Sequence, residues 1–197
     1  MDRKDVRGLN YIAPIENLGS ILKKGIISHK LANKLTHRSV AMDEIQDRRK
    51  VKVVPGGRPL HEYANLYFDA RNPMLSRRRD QHLSICVLEV DPIVMELPGV
   101  VIADRNASSG YARFSSYPEG LRLIDKDLVY AEYWTHPDDQ ILEWEHKSKK
   151  CAEVLVPDIV EARYIIAARV SCKEARDACA TVADVLSYTV DAHLFFR

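Results

Sequence analysis

The order of the apolar segments limits the fold more than any other feature of this chain. Strand-like runs dominate its middle, helical spacing is clearest towards both ends, and there is no regular alternation of the two. Regular alternation would call for a doubly wound parallel sheet, so the expected fold class is α+β, with a central mixed or antiparallel β core flanked by helices. At 197 residues, with no linker-like stretch to divide it, the chain is expected to form a single domain over residues 1–197.

The local pattern predicts the pieces. Residues 9–13 are short and apolar enough for a strand. Residues 15–25 have helical spacing, with Ile15, Leu18, Ile21 and Leu22 as the buried stripe and Gly25 as the stop. Residues 41–50 have a good helix composition, and Pro55-Gly56-Gly57 in the stretch that follows reads as a loop. Leu66-Tyr67-Phe68 opens an expected strand, and residues 83–90 form a stronger one, rich in apolar and β-branched residues with Pro92 just past its end. Residues 100–103, 152–156 and 164–170 read as further strands, and 126–134 as a helix. Near the end, Ala175, Ala178, Cys179, Val182, Val185 and Leu186 recur at spacings of three and four on one helical face, and a last strand is expected over 188–196.

Chemistry is harder to read from pattern. A formal net charge of +1 gives no global sign of a nucleic-acid partner. Basic residues do cluster at Arg48, Arg49, Lys50 and Lys52, at Arg77, Arg78 and Arg79, and at Lys147, Lys149 and Lys150; each cluster could meet phosphate, though the ordinary role of such a run is a solvated surface. The four cysteines form none of the close pairs of zinc or redox motifs, so free, mostly buried thiols in a reducing cytoplasm are expected. With no signal-like segment and no apolar run long enough to cross a bilayer, a cytoplasmic protein without a membrane partner is expected. The absence of a phosphate loop, a dinucleotide glycine fingerprint, a zinc helix and a nucleophile elbow argues against those chemistries. His61-Glu62 begins a metal-like motif, but Asn65 stands where the second ligand would be needed, so no metal is expected.

Several strings, taken in order, resemble the DarT family of bacterial DNA ADP-ribosyltransferase toxins. Residues 10–22, with Asn17-Leu18 preceding Ile21-Leu22, resemble the family's first strand and helix, and Ile45-Gln46-Asp47-Arg48-Arg49 its arginine-bearing helix. Tyr67-Phe68-Asp69-Ala70-Arg71-Asn72-Pro73-Met74-Leu75 is similar to its most recognisable string, an aromatic pair followed by Arg-Ser-Pro-Met-Leu. Tyr111-Ala112-Arg113-Phe114-Ser115, Tyr133-Trp134 and Lys150-Cys151-Ala152-Glu153-Val154-Leu155-Val156 follow in the family's order and at similar spacing. One departure stands out: Tyr11 and Ala13 occupy the places where family members commonly carry a His and a Thr that hold the nicotinamide end of NAD+.

The resemblance implies an enzyme that consumes NAD+ as a co-substrate, needs no metal, and transfers ADP-ribose to a base of single-stranded DNA, as the toxin of a pair whose macrodomain antitoxin removes the modification. Glu153 would be the catalytic carboxylate, because an oxocarbenium-like sugar needs a nearby negative charge and the attacking base needs a proton acceptor. Arg49, preferred over Arg48, would hold the pyrophosphate and share in catalysis. Tyr11, Ala13, Asn17 and Met74 would complete the NAD+ contacts. Arg105, Asn106, Lys147, Lys149 and Lys150 would meet DNA, with Arg77, Arg78 and Arg79 as a second candidate track. A transferase acting on RNA or protein, or a binding module with weakened catalysis, remains the alternative at this stage.

Overall fold

The structure is a computed structural model that describes residues 1–39 and 42–197. The chain runs β1 (Leu9–Pro14), α1 (Leu18–Lys24), β2 (Ile26–Ile27), α2 (His29–Ala32), α3 (Asp43–Val51), β3 (Tyr63–Tyr67), α4 (Pro73–Ser76), β4 (Ile85–Val90), β5 (Val101–Ala103), β6 (Phe114–Ser115), α5 (Glu119–Arg122), α6 (Lys126–Val129), α7 (Gln140–Lys150), β7 (Glu153–Pro157), β8 (Ile159–Val160), β9 (Ile165–Val170), α8 (Lys173–Val182) and β10 (Tyr188–Val190). Eight strands form one sheet in the order β10-β9-β4-β1-β3-β7-β5-β6, while β2 and β8 pair separately. Among the described residues only the β10–β9 pairing is parallel, so the sheet is mixed and the fold is α+β, as the order of the apolar segments predicts.

Two-residue alternation explains how the sheet is buried on both faces. Leu9 and Ala13 of β1, and Cys86, Leu88 and Val90 of β4, enter the main core with Leu18 and Ile21 of α1 and Ala175 and Cys179 of α8. Ile12, Ile85 and Val87 point the other way, into a second cluster with Ala70, Leu75, Leu194 and Phe195. A strand covered on both sides has no polar face, which is why β4 reads as one apolar run. Gly25 stops α1 for two reasons: its φ is 84°, and a Cβ there would collide with the Val160 carbonyl across the β2–β8 pair.

Several boundaries differ from the sequence reading, each where tertiary packing overrides local pattern. The expected helix from residue 15 begins as a 3-10 turn over Ile15–Asn17. Leu66 and Tyr67 close β3 rather than open it, because Tyr63 and Ala64 already pair with Pro157 and Val156. Leu83 is half exposed and lies before β4. The expected helix over 126–134 stops at Val129, and Trp134 instead packs edge-on against Phe196 at 5.9 Å. α8 ends at Val182, leaving Val185 exposed. The apolar residues that suggested a strand to 196 mostly plug the second cluster, so β10 is only three residues long. The helix composition of residues 41–50 becomes α3, with Ala41 outside the described residues.

Sequence reading assigned no element to 140–150, where α7 stands. Asp139 caps it by accepting the Leu142 amide at 2.9 Å, and Glu143–Lys147 and Glu145–Lys149 pair one turn apart. Its apolar pattern is faint because Ile141, Leu142 and Trp144 face solvent. Among the described residues no helix is long and apolar enough to cross a membrane.

Candidate active site

Glu153 is the first residue of β7, in register with Tyr67 of β3 on one side and Ala103 of β5 on the other. Its carboxylate therefore starts from a rigid backbone deep in the sheet, and its side chain is 1% exposed. Arg49, in the last turn of α3, reaches it with a side chain only 7% exposed. The Nη1 group of Arg49 donates to both carboxylate oxygens, at 3.2 and 2.9 Å, and the Ala107 amide donates to Oε1 at 2.8 Å. Removing two charges from water is costly, so a pair this dry persists only with good geometry and additional donors. The Ala107 amide supplies one.

Beside this pair lies a cavity of about 1090 Å³, just above the roughly 300–1,000 Å³ usual for ligand pockets. Tyr11, Asn17, Arg49, Tyr67, Met74 and Asn106 contribute to its wall, and Lys147 and Cys151 join them from the end of α7. Neighbouring titratable groups are held neutral. Burial, and then the Glu153 carboxylate, raises the Tyr67 hydroxyl well above its usual range. The same two causes push the Cys151 thiol up to about 12, and burial raises Tyr11. A neutral thiol and neutral phenols offer no strong proton acceptor of their own on this wall.

The string that follows β3 sets the wall opposite. The fully buried Asn72 caps α4, its Oδ1 accepting the Met74 and Leu75 amides at 2.9 and 3.0 Å, while Nδ2 donates to the Asp69 carbonyl at 2.9 Å. This cap with Pro73 at the first helical position fixes the turn that presents Met74 to the cavity. Asn17 is held by the backbone of Arg38, donating to its carbonyl at 2.7 Å and accepting its amide at 3.2 Å.

Of the residues singled out from sequence, Tyr11, Asn17, Arg49, Met74, Asn106 and Lys147 meet around this one cavity, and Glu153 sits behind Arg49. Four do not. The Ala13 side chain is fully buried in the main core and does not reach the cavity wall. Lys150, expected to meet phosphate, has a side chain with no exposure, and its ammonium is bonded to the Asp69 carboxylate and, at 2.7 Å, to the Val129 carbonyl. Lys149 is paired with Glu145 at 2.9 Å, off the wall. Arg105 is 14% exposed and clasped by Asp104. Burial alone would raise the Asp104 carboxyl, but the Arg113 amide and the Arg105 and Arg113 side chains hold it below the usual range.

The sequence reading missed Tyr111 and Trp144 on the cavity wall, both largely exposed. An exposed Trp in a charged helix was the available signal. Among the described residues no group of three or more His, Cys, Asp or Glu is gathered as a metal ion would require.

The chain is similar to known proteins over most of its length. A family model described as ssDNA thymidine ADP-ribosyltransferase, DarT, matches residues 10–196. The chain is 35% identical over 180 residues to a DNA ADP-ribosyl transferase–DNA ADP-ribosyl glycohydrolase fusion protein of Thermosipho africanus, a match covering 85% of this chain and 43% of that protein. It is 32% identical over 158 residues to a DNA ADP-ribosyl transferase of Thermus sp., covering 74% of this chain and 72% of the relative. Among solved structures, Thermosipho africanus DarTG in complex with ADP-ribose superposes with a TM-score of 0.84 at 31% identity, over 96% of this chain and 51% of that one. Thermus sp. 2.9 DarT in complex with ADP-ribosylated ssDNA has the same fold, with a TM-score of 0.82 at 23% identity over 98% of both chains.

Proposed function

The chain belongs to the DarT family, whose description is ssDNA thymidine ADP-ribosyltransferase, and on that premise we propose that it transfers ADP-ribose from NAD+ to a thymidine base of single-stranded DNA. In this reaction the bond between nicotinamide and ribose breaks, and nicotinamide leaves with its electron pair. A ring nitrogen of the base then bonds the ribose carbon, and its proton passes to Glu153. The observation that carries the reading is the Glu153 carboxylate, 1% exposed and paired with Arg49 at 2.9 Å beside a cavity large enough for a dinucleotide. A fixed charge in a dry site stabilises the positive charge that develops on the sugar far better than one in water.

Arg49 has two tasks in this account: it holds the Glu153 carboxylate in place by donating to both of its oxygens, and it presents positive charge at the cavity wall to the pyrophosphate. Asn17, Met74 and the neutral hydroxyl of Tyr11 complete the NAD+ contacts, with Tyr11 standing where relatives commonly carry a His. Asn106 and Lys147 face the DNA. The protein acts in the cytoplasm without a metal, as the toxin of a pair. The Thermosipho relative, fused to a DNA ADP-ribosyl glycohydrolase, supports a macrodomain partner that removes the modification.

The test is mass analysis of pooled DNA, RNA and protein after incubation with NAD+ and this chain. Addition of ADP-ribose to thymidine-containing single-stranded DNA, with release of nicotinamide, is the expected result. Modification of RNA or protein alone, or NAD+ binding without nicotinamide release, would overturn the reading.

A further inference from the structure

Trp144 is 61% exposed and lies on the cavity wall. It lies on α7 one turn before Ser148, whose carbonyl accepts the Asn106 amide at 2.8 Å and so ties that helix face to the loop carrying Tyr111. Tyr111, 84% exposed, is also on the wall. Among the described residues neither ring stacks on another aromatic side chain or lies beneath a cation. The same wall carries Arg48 and Arg77, both exposed and, among the described residues, in no ion pair. Exposed aromatic faces and unpaired cations sharing one cavity wall are the groups that hold a single strand, each ring taking one base and each cation a phosphate.

We infer that Trp144 is a stacking platform for the nucleobase adjoining the one that is modified, a positioning residue that holds the strand while its neighbour enters the cavity. The inference rests on the DNA reading above. Trp144 is open to solvent at 61% exposure, whereas Glu153, beside which the reacting base must sit, is buried behind Arg49 on β7, so the ring is assigned to a neighbouring base rather than to the reacting one. A base can react only when it is out of the stack, and the stacking it loses with its neighbour is replaced when that neighbour stacks on indole. Arg48 and Arg77 flank the strand electrostatically and make the site selective for a polyanion over an apolar peptide.

The experiment measures kcat and KM for an oligonucleotide with one thymidine, together with NAD+ affinity and a melting curve, for wild type, Trp144→Ala and Trp144→Tyr. Each is repeated with the neighbouring nucleotide made abasic. Losing one stacked base should raise the KM of Trp144→Ala by roughly 5- to 150-fold, with a much smaller fall in kcat and no change in NAD+ affinity. Trp144→Tyr should recover most of the loss. The abasic substrate should penalise wild type about as heavily and Trp144→Ala hardly further, because both changes remove the same contact. A Trp144→Ala protein with wild-type KM, or an abasic penalty equal in both proteins, would overturn the platform while leaving the activity standing. Wild type that modifies no oligonucleotide would overturn both.

Discussion

Replacing Arg49 with Ala should damage stability as well as activity, and the two losses can be separated. The substitution strands the Glu153 carboxylate at 1% exposure with the Ala107 amide at 2.8 Å as its remaining partner here. Removing one member of a buried pair typically costs about 3–5 kcal/mol, because the other charge stays desolvated. For a chain of this length each kcal/mol corresponds to roughly 2–4 °C, so the melting temperature should fall by about 6–20 °C near pH 7. Acid removes the stranded charge by protonation, so the variant's deficit should shrink as pH falls. Adding Glu153→Gln to Arg49→Ala should restore most of the lost stability, since a neutral amide oxygen still accepts from Ala107. Neither protein should regain activity, and NAD+ affinity should fall by roughly 10- to 150-fold in both. Thermal melts from pH 5 to pH 8, with titration calorimetry at pH 7, test this. A shift below about 2 °C that does not vary with pH would refute the account of the pair.

Lys150→Met should cost about 3 kcal/mol by leaving the partly exposed Asp69 without its ammonium, yet DNA affinity and its salt slope should stay unchanged; a flattened slope would return Lys150 to the DNA track. Asn72→Ala should cost about 1–2 kcal/mol through the lost cap and weaken NAD+ binding through displacement of Met74, and a change in stability alone would remove Met74 from the NAD+ contacts. The protein should lose stability as pH drops below about 6.5. Burial holds His146 below its usual pKa, as it does His29 and His61, and the Leu128 carbonyl and His136 bond its ring nitrogens. Depressed histidines favour the neutral form, so their stabilisation is complete above the unfolded value and is lost as pH falls through it towards the folded one. A melting temperature that is flat from pH 7 to pH 5.5 would contradict this.

The central strands were legible because residues buried on both faces must be apolar, and 85–88 of β4 and 154–156 of β7 meet that condition. α7 was not, because its exposed Ile141, Leu142 and Trp144 blur the amphipathic stripe. Arg49 and Glu153 were singled out through family resemblance, and no spacing rule could have joined residues 104 positions apart across a sheet. The errors at Lys150 and Arg105 share one cause. Sequence shows where a cation is but not whether an acid such as Asp69 or Asp104 already holds it. Ala13 failed differently: its small side chain is fully buried in the main core, away from the cavity wall.

The central claim is that Glu153 performs the transfer, and it is tested most directly by the initial rate of oligonucleotide ADP-ribosylation by Glu153→Gln at saturating NAD+. Gln keeps the size of the side chain and the Ala107 contact but removes the charge and the proton acceptor. The account predicts a rate lower by at least about 100-fold, the usual size of a general-base contribution, with NAD+ still bound. A near-normal rate from the Gln variant would contradict the mechanism, whatever its melting temperature.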